Sequence, residues 1–557
     1  MACTGPAGDD AAPTGMDMTK GVVFEEEYDV VVAGAGSAGC VVATRLTEDP
    51  SISLCLLEAG GRDRNPWFHI PLGFGKIVPQ ARYNWGYATE PEPGLNGRSV
   101  VWPRGKVLGG SGSINGLVFL RGAPSDFDEW ERLGAEGWSY KDVLPYFKKS
   151  EHNEPGADQW RGQGGPMHIS NIRNPSTPAR AFVETATRLQ IPKNEDFNGE
   201  KIDGVGLVQL NVRKGRRVST AVGYLKPNLN RRNLTLKTNT QALRIIFEGK
   251  RAIGVEIEEK GKKRYIRARR EVILSGGSIN SPVLLLASGV GPADELKTMS
   301  VDVVHDLPGV GKNLQDHLLI RMVFKTRIPG TLNEVSRNPI QSAKMAMEYA
   351  LKQSGQLAVG ATEATMFVKS RPTEPVPDLQ FQCANFSTEG AFKAGLHKFP
   401  GFMFNFCVCR PHSRGEIKLR DQEGRFPPRI YANYMTHDED WRMMLAGWRI
   451  AKQIVETEPF KSLIEEQYLP GPDVKTDDDF KEYIRNNAST VYHPSGTCRM
   501  GTDEKAVTTP ELKVRGIEGL RVVDASVMPM VPSSNIHPAT IMIAEKAADL
   551  IKQDWKR

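Results

Sequence analysis

The chain has 557 residues, of which 39% are hydrophobic, 25% charged and 8% aromatic, which supplies a large core and excludes a collagenous, coiled-coil or wholly disordered protein. With 72 Lys and Arg against 66 Asp and Glu, the formal charge of +6 is a weak bias over this length and excludes a nucleic-acid footprint. The 54 Gly and 37 Pro exceed the usual share and point to many turns and close backbone approaches.

Residues 1–24 are small, polar and acidic, without the positive start and apolar middle of a secretory signal, and read as a disordered tail. No apolar run approaches the roughly 18 residues of a membrane span. The seven cysteines (Cys3, Cys40, Cys55, Cys383, Cys407, Cys409, Cys498) are irregularly spaced and form no C-x-x-C pair. Free thiols, no metal site and a cytoplasmic location are therefore expected.

The first informative segment follows the tail. An apolar run from Tyr28 to Ala33 suits a buried parallel strand and ends in Gly34-Ala-Gly36-Ser-Ala-Gly39. Ala38, Val41, Val42, Arg45 and Leu46 then recur at helical spacing, and a second strand, Ser51 to Leu57, ends at Glu58. Gly34 permits the tight turn, Gly36 lets backbone approach a pyrophosphate and Gly39 lets helix pack on strand. The helix N-terminus attracts the phosphates and Glu58 accepts from a ribose diol. Glu58 would repel a 2′-phosphate. This unit holds an ADP moiety and does not by itself choose between NAD and FAD.

Further along, Gly105, Gly109, Gly110 and Gly112 make a span too glycine-rich for a stable element. Its backbone N–H groups can face a phosphate or a flat ring, with Asn115 adding an amide. The basic clusters Arg213, Lys214, Arg216, Arg217 and Lys262, Lys263, Arg264 read as solvated turns between strands. Gly309-Val-Gly311-Lys312-Asn313 lacks the spacing and hydroxyl of a phosphate loop. Alternating runs at Phe402–Arg410 and Gly415–Leu419 suggest antiparallel strands, backed by a helix over 436–455. Asp524 follows the apolar run Leu520–Val523, at a strand's end where α/β ligands bind.

Five ordered stretches resemble the motifs of the glucose–methanol–choline (GMC) oxidoreductases: Arg104–Asn115, Ser275–Pro292, Leu307–His317, His493–Met500 and Leu520–Ser526, the last followed by Asn535–Glu545. The resemblance covers nearly the whole chain, and residues 65–75 and 538–549 are similar to its bacterial choline-, sorbose- and aliphatic-alcohol dehydrogenase branches. It implies an α/β fold with a Rossmann-like FAD domain (25–160, 215–320 and 490–555) and an interleaved substrate domain on an antiparallel sheet (161–214 and 321–489). It also implies FAD-dependent oxidation of a small-molecule alcohol, a primary alcohol or a polyol or sugar, by hydride transfer to flavin N5. Electrons then pass to a quinone or to oxygen. Quinone-using relatives can sit loosely on a membrane, although no amphipathic anchor stands out here. A non-catalytic flavin carrier and a light-driven decarboxylase are disfavoured by the two histidines at the flavin face. The decarboxylase branch lacks the counterpart of His493.

The resemblance carries FAD contacts to Gly34, Gly36, Ser37, Ala38, Gly39, Glu58, Ala59, Arg104, Leu108, Gly109, Gly110, Ser113, Asn115, Gly116, Ala242, Asp524, Ala525, His537, Pro538 and Thr540. Where relatives attach flavin covalently through a histidine, this chain has Ile114, so FAD is expected to be noncovalent. Removing a hydroxyl proton needs a base, and imidazole suits the task. His493 and His537 each precede a proline, which favours extended or turn backbone projecting into a site. The resemblance makes His493 the base and His537 a hydrogen-bond partner of the substrate oxygen. Two imidazoles in one site are expected to titrate together.

Overall fold

The apolar run at the start of the chain forms β1 (Glu26–Ala33), where Val30, Val31 and Val32 are fully buried. The structure, a computed structural model, describes residues 21–389, 395–421 and 427–556. The expected tail therefore lies outside the described residues up to position 20, as does Cys3. Phe24 already docks on the sheet, with the Arg267 guanidinium 5.6 Å over its ring.

After β1 come α1 (Ser37–Leu46) and β2 (Leu54–Glu58), with β1 and β2 parallel. The second strand begins later than expected because Asp49 accepts the Ser51 N–H at 2.9 Å and curls residues 49–52 into a turn. Strand Leu234–Thr238 adds to β2, and the long strand Lys262–Leu274 adds to the other side of β1, all parallel. The end of that long strand continues the parallel sheet into Leu520–Val522, while its beginning turns antiparallel to Arg251–Glu259 and then Thr240–Glu248. This is a doubly wound sheet whose parallel strands all end on one side, where open α/β sheets bind ligands. The C-terminal helix Ile536–Asp554 lies against α1, fixed by a bidentate Arg45–Glu545 pair at 2.8 and 2.9 Å.

A second seven-stranded sheet is antiparallel throughout. Its order is Glu466–Leu469, Leu318–Lys325, Gly401–Val408, Leu379–Ala384, Ala364–Val368 and Gly204–Leu207, with Ser489–Thr490 also paired to Leu318–Lys325. Helix Asp438–Glu456, at the position its periodicity indicates, backs this sheet so closely that a Cβ on Gly447 would lie 2.5 Å from the Phe406 ring. The run at 415–419 forms the expected antiparallel strand but stands outside this sheet. Glu416–Lys418 pairs only with Arg429–Tyr431, because its backbone is tied to the loop at 311–314 through Ile417 N–H to Gly311 O and Gly415 N–H to Leu314 O.

Among the described residues, no helix is long and apolar enough to cross a membrane, and no group of three or more His, Cys, Asp and Glu could hold a metal. The six described cysteines are all unpaired and buried.

Candidate active site

A cavity of about 380 Å³ runs from the ends of β1 and β2 to the face of the antiparallel sheet. At its nucleotide end Gly34 has φ of +110°, and a Cβ there would lie 2.5 Å from Ser275 O. A Cβ on Gly39 would lie 1.9 Å from Gly34 O, so α1 can approach the strand only through glycine. Gly36 differs: its Cβ would meet protein no nearer than 3.8 Å, and the space it would fill belongs to the cavity. Gly36 also N-caps α1 without a side-chain cap, which leaves first-turn N–H groups for an anion.

Glu58 is buried and accepts from Gly60 N–H at 2.8 Å and Ala35 N–H at 3.2 Å. Burial raises its pKa to about 7 in spite of these donors. The carboxylate thus lacks enough donors to stay ionised, and a ribose diol supplies more. Ser37, Ala38, Ala59 and Ala242 line the same end. An uncapped helix start, a glycine cradle and an under-donated acid fit the pyrophosphate and ribose of FAD.

The second glycine loop rests on the first. Gly109 and Gly110 have φ of +85° and +56°, and a Cβ on Gly110 would lie 2.8 Å from Gly36 Cα. Gly110, Asn115 and Gly116 line the cavity, as does Ile114 at the covalent-attachment position. Leu108, Gly109 and Ser113, together with Gly39 and Pro538, are not on its wall. Leu108 and Gly109 instead donate their N–H groups to Gly61 O and Ala35 O, and Ser113 Oγ donates to Leu108 O, holding the loop from behind. Arg104 reaches the wall but donates to Pro103 O and Tyr492 O, both at 2.7 Å.

Arg217 corrects the solvated-turn reading. Its neighbours form a two-strand turn, but its guanidinium is buried, donating to Asn115 Oδ1 at 2.6 Å and Asn115 O at 2.7 Å. Burial pulls its pKa down to about 9. Asn115 Oδ1 also accepts from Leu117 N–H at 3.1 Å, so the oxygen is committed and the amide N–H groups remain for the cavity.

Asp524 likewise works inward. It accepts from Gly277 N–H and Ser526 N–H, both at 2.8 Å, and from Ser281 Oγ at 2.6 Å. It joins the strand end to the start of helix Gly277–Ala287. Ala525 and Thr540 line the cavity beside it.

Both expected catalytic histidines line the cavity, but they are not hydrogen-bonded to each other. His493 Nδ1 lies 3.0 Å from His317 Nδ1, and His317 Nε2 lies 2.9 Å from Cys409 O. The carbonyl can only accept, so His317 Nε2 carries a proton. Burial holds the pKa of His317 near 4, so the ring is neutral and its Nδ1 accepts. His493 Nδ1 must then donate, which leaves Nε2 as the free base. Asn535 Nδ2 approaches that nitrogen at 3.2 Å, and His493 N–H is fixed by Asp316 Oδ1 at 2.7 Å. Burial first, then His317 and Arg104, hold the His493 pKa well below the usual histidine value. The coupled imidazole pair is therefore His493 with His317, not His493 with His537.

His537 sits in the first turn of helix Ile536–Asp554, and neither ring nitrogen has a partner. Burial and then the Arg217 charge lower its pKa to about 4. A Cβ on Gly112 would lie 2.8 Å from both His537 Nε2 and Ser37 Oγ, so glycine is required for the ring to stand there. His317 and Asp316 close the Leu307–His317 motif and Asn535 precedes His537, so motif membership was their only sequence signal. Arg217 had none.

A family model described as GMC oxidoreductase matches residues 28–319 in its N-terminal part and residues 411–544 in its C-terminal part. Mouse mitochondrial choline dehydrogenase is 41% identical over 541 residues, covering 95% of this chain and 90% of the relative. An oxygen-dependent choline dehydrogenase of Brucella ovis is 41% identical over 527 residues, covering 94% and 95%. Among solved structures, pyridoxine 4-oxidase from Mesorbium loti superposes with a TM-score of 0.84 at 29% identity, covering 94% of this chain and 99% of that one. An Aspergillus oryzae formate oxidase superposes with a TM-score of 0.88 at 26% identity, covering 96% and 100%.

Proposed function

The chain belongs to the GMC oxidoreductase family and is an FAD-dependent enzyme acting on CH–OH donors; within that family we propose that it oxidises a primary alcohol, with His493 as base, and hands the electrons to a quinone-type acceptor. The hydrogen-bond line from Cys409 O through His317 to His493 carries this reading, because it ends in an unprotonated Nε2 at the cavity wall.

FAD, when bound, supplies the hydride acceptor. The start of α1 would hold its pyrophosphate, Glu58 its ribose and Ala242 its adenine end, and the loop Gly110–Asn115, braced by Arg217, would hold its ring. His493 Nε2 takes the alcohol proton as the carbon gives up hydride. The 3.2 Å contact from Asn535 is long, and an alcohol hydroxyl can replace it. His537, neutral at working pH, orients the substrate oxygen. Burial of the site excludes water from the developing carbonyl.

The expected segments 25–160, 215–320 and 490–555 would surround the cofactor and 161–214 and 321–489 cover the substrate, although strands Leu318–Lys325 and Ser489–Thr490 of the antiparallel sheet straddle the bounds at 320 and 489. The unpaired thiols support a reducing, cytoplasmic compartment. Oxygen as acceptor is the second reading, supported by the structural similarity to a pyridoxine oxidase and a formate oxidase. Anaerobic mixing with a panel of primary alcohols tests the reaction: bleaching of the flavin is expected, and an unbleached flavin across the panel overturns it. Turnover with a quinone dye should outpace turnover with oxygen, whereas stoichiometric hydrogen peroxide at matching rates would move the assignment to the oxidase.

A further inference from the structure

The sheet face above the reaction site has its own pattern. His317 immediately precedes strand Leu318–Lys325, and side chains two apart share a face. Leu319 and Arg321 line the cavity, one and two steps beyond the relay histidine. Across the sheet Arg321 stands opposite Asn405, and Asn405 opposite Gln382, and both of those also line the cavity. A polar row of guanidinium and two carboxamides thus crosses three strands, about 13 Å along the strand from His317, with Leu319 as the apolar step between.

This row is not used up by the protein. Arg321 pairs with no carboxylate among the described residues, and its Nη2 donates to Ser489 Oγ at 3.3 Å. Asn405 is only 8% exposed, yet its Oδ1 has no hydrogen-bond partner. A buried orphan acceptor beside an unpaired cation asks for a group that both donates and accepts, which is what a hydroxyl does.

The same wall is hostile to a cationic substrate. Among the described lining residues the only carboxylates are Glu58 and Asp524, both at the nucleotide end and both engaged by backbone N–H groups. Aromatic faces are the other way to hold a quaternary ammonium. Of the aromatic lining residues Phe74, Trp85, Tyr87, Phe386 and Tyr492, the large Trp85 stacks on Tyr87 at 5.8 Å and carries the Lys106 ammonium 4.5 Å from its ring centre, so a second cation at Trp85 meets like charge.

We propose that Arg321, Asn405 and Gln382 form the specificity row of this enzyme and select a primary alcohol bearing a second hydroxyl several bonds from the carbinol, against quaternary ammonium alcohols such as choline. The proposal rests on the alcohol-oxidising reading above and concerns which alcohol is taken. It separates this chain from the relatives whose names carry choline.

Four substrates test it: pentane-1,5-diol, pentan-1-ol, choline and 3,3-dimethylbutan-1-ol, the neutral isostere of choline. In the wild-type holoenzyme, kcat/KM for the diol should exceed that for pentan-1-ol by at least about fivefold. Dimethylbutanol should exceed choline by at least about tenfold, or ~1.4 kcal/mol. Asn405→Leu should erase the diol advantage, and Arg321→Met should narrow the gap between choline and its isostere. Each readout is a ratio within one protein, so a general loss of folding cancels. Binding of tetramethylammonium, a non-reacting cation without a carboxylate, followed by thermal shift, should be undetectable in wild type and gained in Arg321→Met. Choline matching its isostere, or the diol matching pentan-1-ol, would overturn the specificity row while leaving the alcohol-oxidising reading intact. Failure of every alcohol to reduce the flavin would instead sink that reading, and this one with it.

Discussion

Every ring nitrogen from Cys409 O to His493 Nδ1 has one partner, so the protonation pattern follows from a single carbonyl. Replacing His493 with Ala should lower kcat by about 10²–10⁴, the usual worth of a general base, with FAD still bound. Near-normal turnover in a flavin-loaded H493A protein would refute the mechanism. The base works only when neutral, and its pKa lies well below the usual histidine value. Activity should therefore stay flat across neutral pH and fall only in the acid range. Replacing His317 with Ala removes part of the burial and the neighbour that hold the His493 pKa down, together with the tautomer lock, so kcat should drop and the acid limb of kcat/KM should move to higher pH. An unmoved limb in H317A would show that His317 does not act through His493. Of these residues, only His493 and His537 were candidates from the sequence, where a histidine before proline in a motif is a local signal and the family resemblance supplies the roles. The Nδ1–Nδ1 contact joins residues far apart in the chain, and no local pattern encodes it. Arg217 escapes a sequence reading for the same reason: four neighbouring cations look solvated until the fold turns one of them under Asn115.

Elements were more legible where backbone sterics write themselves as glycine. The β1–α1–β2 unit could be read because Gly34 and Gly39 leave no room for any other residue. Gly39→Ala sets a Cβ 1.9 Å from a backbone oxygen that has no freedom to move, so the variant should fail to retain FAD. Gly447→Ala makes an instructive contrast. Its Cβ would lie 2.5 Å from a Phe406 ring carbon, and a ring can shift. That variant should lose about 1–3 kcal/mol of stability, as overpacking does, and keep its flavin. Thermal melts with flavin absorbance distinguish the two; equal flavin content in both would show that α1 tolerates more than its geometry allows. The helix Asp438–Glu456 is readable from its apolar period and Glu416–Lys418 from its alternation, but the sheet that strand joins is not. Alternation predicts a strand and says nothing of its partner, and here backbone bonds to Gly311 and Leu314 decide it.

At the scale of the molecule, cofactor retention connects the fold to solution pH through Glu58. With Ile114 at the attachment position, FAD is held by noncovalent contacts, so its affinity is measurable. Burial lifts Glu58 to about 7 from an ordinary carboxylate value of 4.5. A raised acid holds its proton below that pH, and the cost of ionising it in the fold grows as pH rises from 4.5 through 7. Ribose hydroxyls donating to the carboxylate favour the ionised form, so FAD lowers this pKa and its binding releases a proton. Affinity must then strengthen with pH until Glu58 is ionised even without ligand, and level off above about 7. Between pH 6 and pH 8 that is about one unit of linkage, or roughly tenfold in Kd. Glu58→Gln should bind FAD with a Kd that does not change over this range, and Glu58→Ala should lose about 1.5–3 kcal/mol of binding at pH 8. Fluorescence titration of the apoprotein with FAD at the two pH values decides it, and a wild-type Kd as flat as that of E58Q would remove Glu58 from the ribose.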